Sequence, residues 1–126
     1  MRVVLLSTIL FGAASVATKI YAASYSGTVT TLSPKSNNGS YGLSIVAQTK
    51  DCGISPSWLT LDATNNLILC LNEGIGAPNG SLTSFKVNSN GSLTTLDVLE
   101  TVSGPVMSAI YTIPSQPGRR FVAVAH

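Results

Sequence analysis

The sequence predicts an all-β fold of short antiparallel strands, on two observations. Apolar and β-branched residues gather in short runs, and no window shows the sustained periodicity of a helix. Gly, Asn, Ser and Pro, which favour turns, separate the runs. We place strands at residues 19–25, 28–33, 42–49, 56–62, 67–72, 81–87, 92–101, 107–113 and 120–126. Short turns such as Asn65-Asn66, Asn79-Gly80 and Asn90-Gly91 should join neighbouring strands into an antiparallel meander.

Three of these strands share one layout, in which four apolar residues precede a polar one. They end at Ser24, Asn72 and His126. Their spacing of about 50 residues is that of a four-stranded β-propeller blade. A Pro-led strand precedes the second and third copies, and a Gly-led strand follows the first and second.

The ordered repeat predicts a partial β-propeller of about two blades of four-stranded antiparallel sheet. A partial blade would span 19–49, a full blade 56–101, and a second partial blade 107–126. In each blade the Pro-led strand would be innermost. An ordinary nine-stranded sandwich is the alternative.

The first residues have the pattern of an export signal. Arg2 supplies the positive charge, residues 3–14 form an apolar run, and Ser15-Val16-Ala17 offers a small-x-small cleavage site. We therefore expect a signal peptide at 1–17, the incomplete propeller at 18–126, and a secreted, extracellular protein. A buried first strand or a weak membrane anchor is the alternative.

Composition limits the classes of partner. Charged residues make up 10% of the chain, against roughly 25% in an average globular protein. The only basic cluster is Arg119-Arg120, so we expect neither nucleic acid nor membrane as a partner. Such a charge-poor surface should be covered, in part by the rest of the fold. Composition leaves the oligomeric state undetermined.

Modification sites follow from the expected export. The sequons at Asn38, Asn79 and Asn90 are candidate glycosylation sites, and their Asn-Gly pairs also favour turns. Cys52 and Cys70 could form a disulfide outside the cytosol, although strand spacing alone does not place their Cβ atoms together. Two cysteines and one histidine do not make a metal site.

The repeated elements resemble the fungal branch of the lactonase family. The segments that carry the resemblance are Tyr21–Val29, Cys52-Gly53, Pro56–Asp62, Cys70–Gly74, Asn79–Phe85 and Ala123–His126. That family forms seven-bladed propellers and includes 6-phosphogluconolactonase-like and carboxymuconate-lactonising enzymes. The resemblance implies that the parent protein hydrolyses or isomerises a sugar-acid or aromatic-acid lactone. Its partner would be a small-molecule lactone, and no cofactor would be required.

The chain is shorter than the seven blades that the resemblance implies. We therefore expect it to be an N-terminal fragment that lacks most active-site positions and is inactive alone. Two alternatives stay open at this point. The parent could be a non-catalytic extracellular propeller that binds a protein or carbohydrate, or the chain could be a truncated, inactive product.

Two residues are candidate acid–base groups for lactone hydrolysis, which needs a base for water and donors for an oxyanion. His126 and Glu73 should stand on the same rim in neighbouring blades, because His126 aligns with Asn72 in the repeat and Glu73 directly follows Asn72. Alternatively, His126 hydrogen-bonds a loop carbonyl, and Glu73 is a solvated loop charge. Arg119 and Arg120 should lie at the opposite rim, as solvated turn charges.

Overall fold

A computed structural model describes residues 18–126, and these residues form an all-β fold, as predicted. No helix occurs in this range. The predicted signal peptide lies outside the described residues. The strands are β1 (Ile20–Ser24), β2 (Thr28–Asn37), β3 (Ser40–Thr49), β4 (Pro56–Asp62), β5 (Leu67–Asn72), β6 (Gly80–Val87), β7 (Leu93–Thr101), β8 (Met107–Tyr111) and β9 (Phe121–Ala125).

The strands form three successive antiparallel sheets. Their orders are β1-β2-β3, β4-β5-β6-β7 and β8-β9, which we call the first, second and third blade. Each sheet is a meander in which consecutive strands pair. A sandwich would instead collect the strands into two sheets, so the partial-propeller prediction is confirmed over the described residues.

The hairpin between β2 and β3 is longer than its apolar pattern predicted. Pairing continues to Asn37 and Ser40, although this stretch is rich in polar residues. Asn38 and Gly39 have φ angles of 47° and 83°. A two-residue turn of positive φ matches the twist of paired strands. The turn therefore lets β2 and β3 pair through a polar stretch that the pattern of apolar residues does not indicate as strand.

The predicted turn at Asn79-Gly80 is wrong. Gly80 begins β6, and the turn lies earlier, where the Ala77 amide donates to the Gly74 carbonyl at 2.8 Å. A Cβ on Gly80 would stand 2.5 Å from Cδ of Pro105. Glycine is therefore required at this position because another segment approaches closely, which sequence pattern cannot distinguish from a turn.

The best-formed core lies between the first and second blades. It consists of Val29, Cys52, Ile68, Cys70 and Phe85, all at most 2% exposed. Alternate residues of a strand project to opposite faces, so these residues mark the facing sides of the two sheets. The opposite face of β5 carries Leu69 and Leu71, which are also buried.

Cys52 and Cys70 form a disulfide inside this core, with Cα atoms 6.0 Å apart. Cys52 lies in the β3–β4 connection, which passes from the first blade to the second, and Cys70 lies in the middle of β5. The disulfide therefore ties the connection to the sheet that it leads into. Strand spacing did not indicate this pairing, because the path of a connection is a tertiary property.

Replacing Leu71 by alanine should lower the free energy of unfolding by about 2–5 kcal/mol, because a buried leucine leaves a cavity. The same change at Leu99, which is 61% exposed, should have an effect within about 0.5 kcal/mol. Urea unfolding of both variants measures the difference. Equal effects would mean that Leu71 is not buried in solution.

Replacing both cysteines by alanine should lower the free energy of unfolding by about 3 kcal/mol, as expected for a disulfide that closes a loop of this size. The two residues are 18 positions apart. Wild-type chain unfolded in urea with a reductant is the matched control and should behave like the variant. A variant as stable as the oxidised wild type would contradict the pairing.

Candidate functional site

The candidate site lies at the edge of the sheets where β1, β5 and β9 end, which we call the upper rim. Tyr25 follows β1 and Glu73 follows β5. The Tyr25 hydroxyl donates a hydrogen bond of 2.6 Å to Oε1 of Glu73, across the junction of the first two blades. This bond, with some desolvation, raises the pKa of Tyr25, since it favours the neutral phenol.

Backbone contacts fix the position of Glu73. Its amide donates to the Ser55 carbonyl, and its carbonyl accepts from the Gly104 amide, both at 3.0 Å. The preceding Asn72 is buried, and its Oδ1 accepts the amides of Ser55 and Gly74 at 2.8 and 3.3 Å. Hydrogen bonds therefore hold the loop that carries Glu73 to the β3–β4 connection at Ser55 and to the β7–β8 connection at Gly104.

A cleft of about 390 Å³ lies beside this pair. It is lined by Tyr25, Ser26, Gly27, Lys50, Gly53 and Ile54. Its walls come from the β1–β2 turn and the β3–β4 connection. Tyr25 and Lys50 both line the cleft, and Glu73 is joined to it through the hydrogen bond from the Tyr25 hydroxyl. A carboxylate, a phenol and an ammonium are groups that can move a proton and stabilise a developing negative charge.

Sequence reasoning missed Lys50 and the Tyr25 contact. Aligning the strand ends put Tyr25 and Glu73 at equivalent positions, and this was a usable signal for their proximity. Lys50 gave no signal, because it stands in a connection outside the repeated layout.

His126 follows β9 and stands at the upper rim of the third blade. Ala125 pairs with Met107, and its carbonyl accepts the Val106 amide at 2.9 Å. His126 is exposed. Across residues 18–126, no hydrogen bond joins His126 to Glu73, so the structure puts the two on one rim without bringing them into contact.

Arg120 takes part in an ion pair at the opposite, lower rim, so its interpretation as a merely solvated charge is wrong. Its Nη1 lies 2.7 Å from Oδ1 of Asp62, whose side chain is buried. Asp62 also accepts the Asn65 side-chain amide at 2.8 Å. Arg119 is exposed and donates to Oε1 of Gln116 at 3.1 Å. Neither arginine faces the upper rim.

The candidate modification sites lie on the surface. Asn38, Asn79 and Asn90 are all exposed. Oδ1 of Asn90 accepts both the amide and the hydroxyl of Ser92, at 2.9 and 2.8 Å.

Within the described range, His, Cys, Asp and Glu form no group of three that could hold a metal. Over residues 18–126, the search for a helix long and apolar enough to cross a membrane found none.

Asp62 should make stability depend on acid pH. Its pKa is lowered, first by the Asn65 hydrogen bond and further by the Arg120 charge. A carboxyl with a lowered pKa in the folded state stabilises fully above its unfolded pKa of about 3.9, and this contribution is lost as the pH falls through the folded pKa. Wild type should therefore lose stability below about pH 4 more steeply than Asp62→Asn.

Urea midpoints between pH 2 and 7 measure this difference. Asp97→Asn, which changes an exposed carboxylate, is the control and should keep the wild-type slope. Parallel profiles for wild type and Asp62→Asn would contradict the ion pair.

Comparison with known proteins agrees with the blade architecture. The family model described as Lactonase, 7-bladed beta-propeller matches residues 15–126. No curated protein and no solved structure matches the chain. Since the matched range covers all three sheets and most of the sequence, the chain belongs to the lactonase family of seven-bladed β-propellers.

Proposed function

We propose that this chain is part of a secreted protein that hydrolyses a lactone of a sugar acid or aromatic acid. Isomerisation of such a lactone is the related possibility that the carboxymuconate-type resemblance adds. The observation that carries the proposal is the 2.6 Å hydrogen bond between Tyr25 and Glu73 beside the upper-rim cleft. Family membership supplies the reaction class, and this pair supplies a positioned carboxylate.

Hydrolysis would proceed by attack of water on the ring carbonyl carbon. The Glu73 carboxylate takes a proton from the water as the new C–O bond forms, and the carbonyl electrons move onto oxygen. The Lys50 ammonium, which belongs to the cleft that Tyr25 also lines, stabilises this oxyanion. When the oxyanion collapses, the ring C–O bond breaks and the ring oxygen takes the proton from Glu73. The product is the open hydroxy acid.

Tyr25 and His126 have supporting roles in this proposal. The Tyr25 hydroxyl holds the Glu73 carboxylate in one orientation, which a base needs in order to reach the attacking water. His126, at the same rim of the third blade, is a second candidate proton donor to the leaving oxygen.

Secretion is part of the proposal, and the disulfide supports it. Disulfides persist in oxidising compartments and are rare in the cytosol, and Cys52–Cys70 is buried in the core. The proposed signal peptide at 1–17 agrees with this, and so does the exposure of the three sequons. We propose glycans at Asn38, Asn79 and Asn90 on the same grounds.

The test uses the longest in-frame product of the gene that carries these 126 residues. It is secreted from a eukaryotic host and assayed by pH-stat on a panel of sugar-acid and aromatic-acid lactones. Glu73→Gln should lower kcat/KM by about 10²–10⁴-fold, the usual contribution of a general base. The matched control is Glu100→Gln, which changes an exposed glutamate on the outermost strand β7 and should keep wild-type activity.

Each outcome decides a separate part of the proposal. Turnover that survives Glu73→Gln would leave the lactonase reaction standing and remove Glu73 as its base. A folded protein with no turnover on any lactone would overturn the hydrolase proposal in favour of an extracellular binding propeller.

A further inference from the structure

Trp58, the only tryptophan in the sequence, lies on the innermost strand of the second blade and is 38% exposed. It pairs with Leu71, as Thr60 pairs with Leu69, on the face of β5 that turns away from the first blade. The hydroxyl of Thr60 lies 2.8 Å from that of Ser108 on β8, which confirms this direction. The indole of Trp58 therefore projects to the side of the second blade that meets the third.

The third blade packs against this side of the second blade, yet it leaves part of the indole exposed. Above Trp58, the Ser57 hydroxyl donates to the Pro105 carbonyl at 3.3 Å, and the hydroxyl contact between β4 and β8 lies below it. Both contacts join residues 48 positions apart, so Val106 stands opposite Trp58. Val106 is also 46% exposed. Since the strands are joined above and below, these exposed parts face the space in front of the innermost strands. We call Trp58 and Val106 the inner platform.

Two features of β4 fix the position of the indole. The pairing of β4 with β5 shifts between Pro56 and Trp58, and a bulge of this kind re-aims the side chain that follows it. The indole Nε1 donates to Oγ1 of Thr60 at 3.0 Å, and that hydroxyl donates to the Ser108 carbonyl at 3.0 Å. These hydrogen bonds use the edge of the ring, so its orientation is held while its exposed part can stack on a ligand.

The loop of Glu73 is attached to both strands that carry the inner platform. The Glu73 amide donates to the Ser55 carbonyl, and its carbonyl accepts the Gly104 amide, both at 3.0 Å. Ser55 stands three positions before Trp58, and Gly104 stands two positions before Val106. Because a strand rises about 3.3 Å per residue, the platform lies roughly 7–10 Å along the strands from these hydrogen bonds. A ring bound on the platform therefore lies close to the rim at which Glu73 stands.

We infer that the inner platform binds the ring of the substrate and selects lactones with a flat, apolar ring over polyhydroxylated sugar lactones. An indole stacks well on a flat conjugated ring, and Val106 extends the apolar contact. The hydroxyls of a sugar ring would lose their hydrogen bonds to water there, because the Trp58 N–H is already bonded and Val106 offers no polar group. The inference rests on the proposed lactone reaction, and it makes Trp58 a residue that determines substrate specificity.

Variants of Trp58 test the inference in the same secreted protein that tests the lactonase reaction. Trp58→Ala removes the ring, and Trp58→Phe keeps an aromatic ring without the N–H. The control is Leu61→Ala, which shortens an exposed side chain on the same strand; Leu61 pairs with Ile68 and so faces the first blade. The substrates are dihydrocoumarin, an aromatic lactone, and glucono-δ-lactone, a sugar lactone. Calorimetry measures binding of the lactam analogue of dihydrocoumarin, in which an N–H replaces the ring oxygen and which resists hydrolysis.

Trp58→Ala should raise KM for dihydrocoumarin by about 10-fold and weaken lactam binding by a similar factor, because stacking contributes to binding the ring before the reaction. Its kcat should stay within about two-fold of wild type, and KM for glucono-δ-lactone should not change. Trp58→Phe should recover most of the lost affinity, and Leu61→Ala should match wild type throughout. If Trp58→Ala loses its far-ultraviolet strand signal, Trp58→Leu takes its place, since leucine stays apolar and removes only the ring.

The binding and turnover measurements separate the inference from the proposed reaction. Equal losses for the two lactones, no lactam binding to wild type, or lactam binding that the ring-removing variant leaves unchanged would each overturn the inference, whether or not the protein turns over lactones. Lactam binding that depends on Trp58, in a protein without lactone turnover, would leave the inner platform standing and remove the hydrolase proposal.

Discussion

Between the first two blades, the side chains of Val29, Ile68 and Phe85 lie against the Cys52–Cys70 disulfide and are almost completely removed from water. A single β-sheet cannot bury its own faces, so each blade depends on the next one for its core. The disulfide adds a covalent tie where the chain passes between blades. The turns and rims of the molecule are positioned by this junction.

Polar contacts join the blades at both rims, and the Thr60 and Ser108 hydroxyls join the innermost strands β4 and β8 at 2.8 Å. At the upper rim, the Tyr25–Glu73 bond crosses from the first blade to the second. At the lower rim, the Arg120–Asp62 pair crosses from the second blade to the third. Strand ends leave backbone groups and polar side chains at the edges of the sheets, while apolar side chains fill the space between them. The Tyr25–Glu73 pair and the cleft that Lys50 lines lie at such an edge.

The low proportion of charged residues in the sequence also follows from the packing of blades against one another. A blade that packs on both sides has few strand positions that face water, so few of its residues need to be charged. The faces of the first and third blades that turn away from the second blade follow this rule, since residues such as Ile20, Ile45 and Met107 on them are apolar although exposed. Composition thus reflects a surface that is suited to packing against another blade.

The sequence by itself determined the fold class, all nine strands and the order in which the repeated elements occur. These features are local, because strand periodicity and turn residues act over a few positions. It also placed His126 and Glu73 on one rim, which followed from aligning the strand ends. Its errors lie where local pattern is silent, at the extended β2–β3 hairpin, at Gly80 and at Arg120, whose partner Asp62 is distant in sequence.

Only the tertiary structure decided which residues meet. The Cys52–Cys70 bond, the Tyr25–Glu73 bond and the cleft beside Lys50 all depend on how a connection crosses from one sheet to another. The approach of Pro105 to Gly80 depends on the same kind of crossing. No short-range rule determines that path, because packing between whole sheets fixes it.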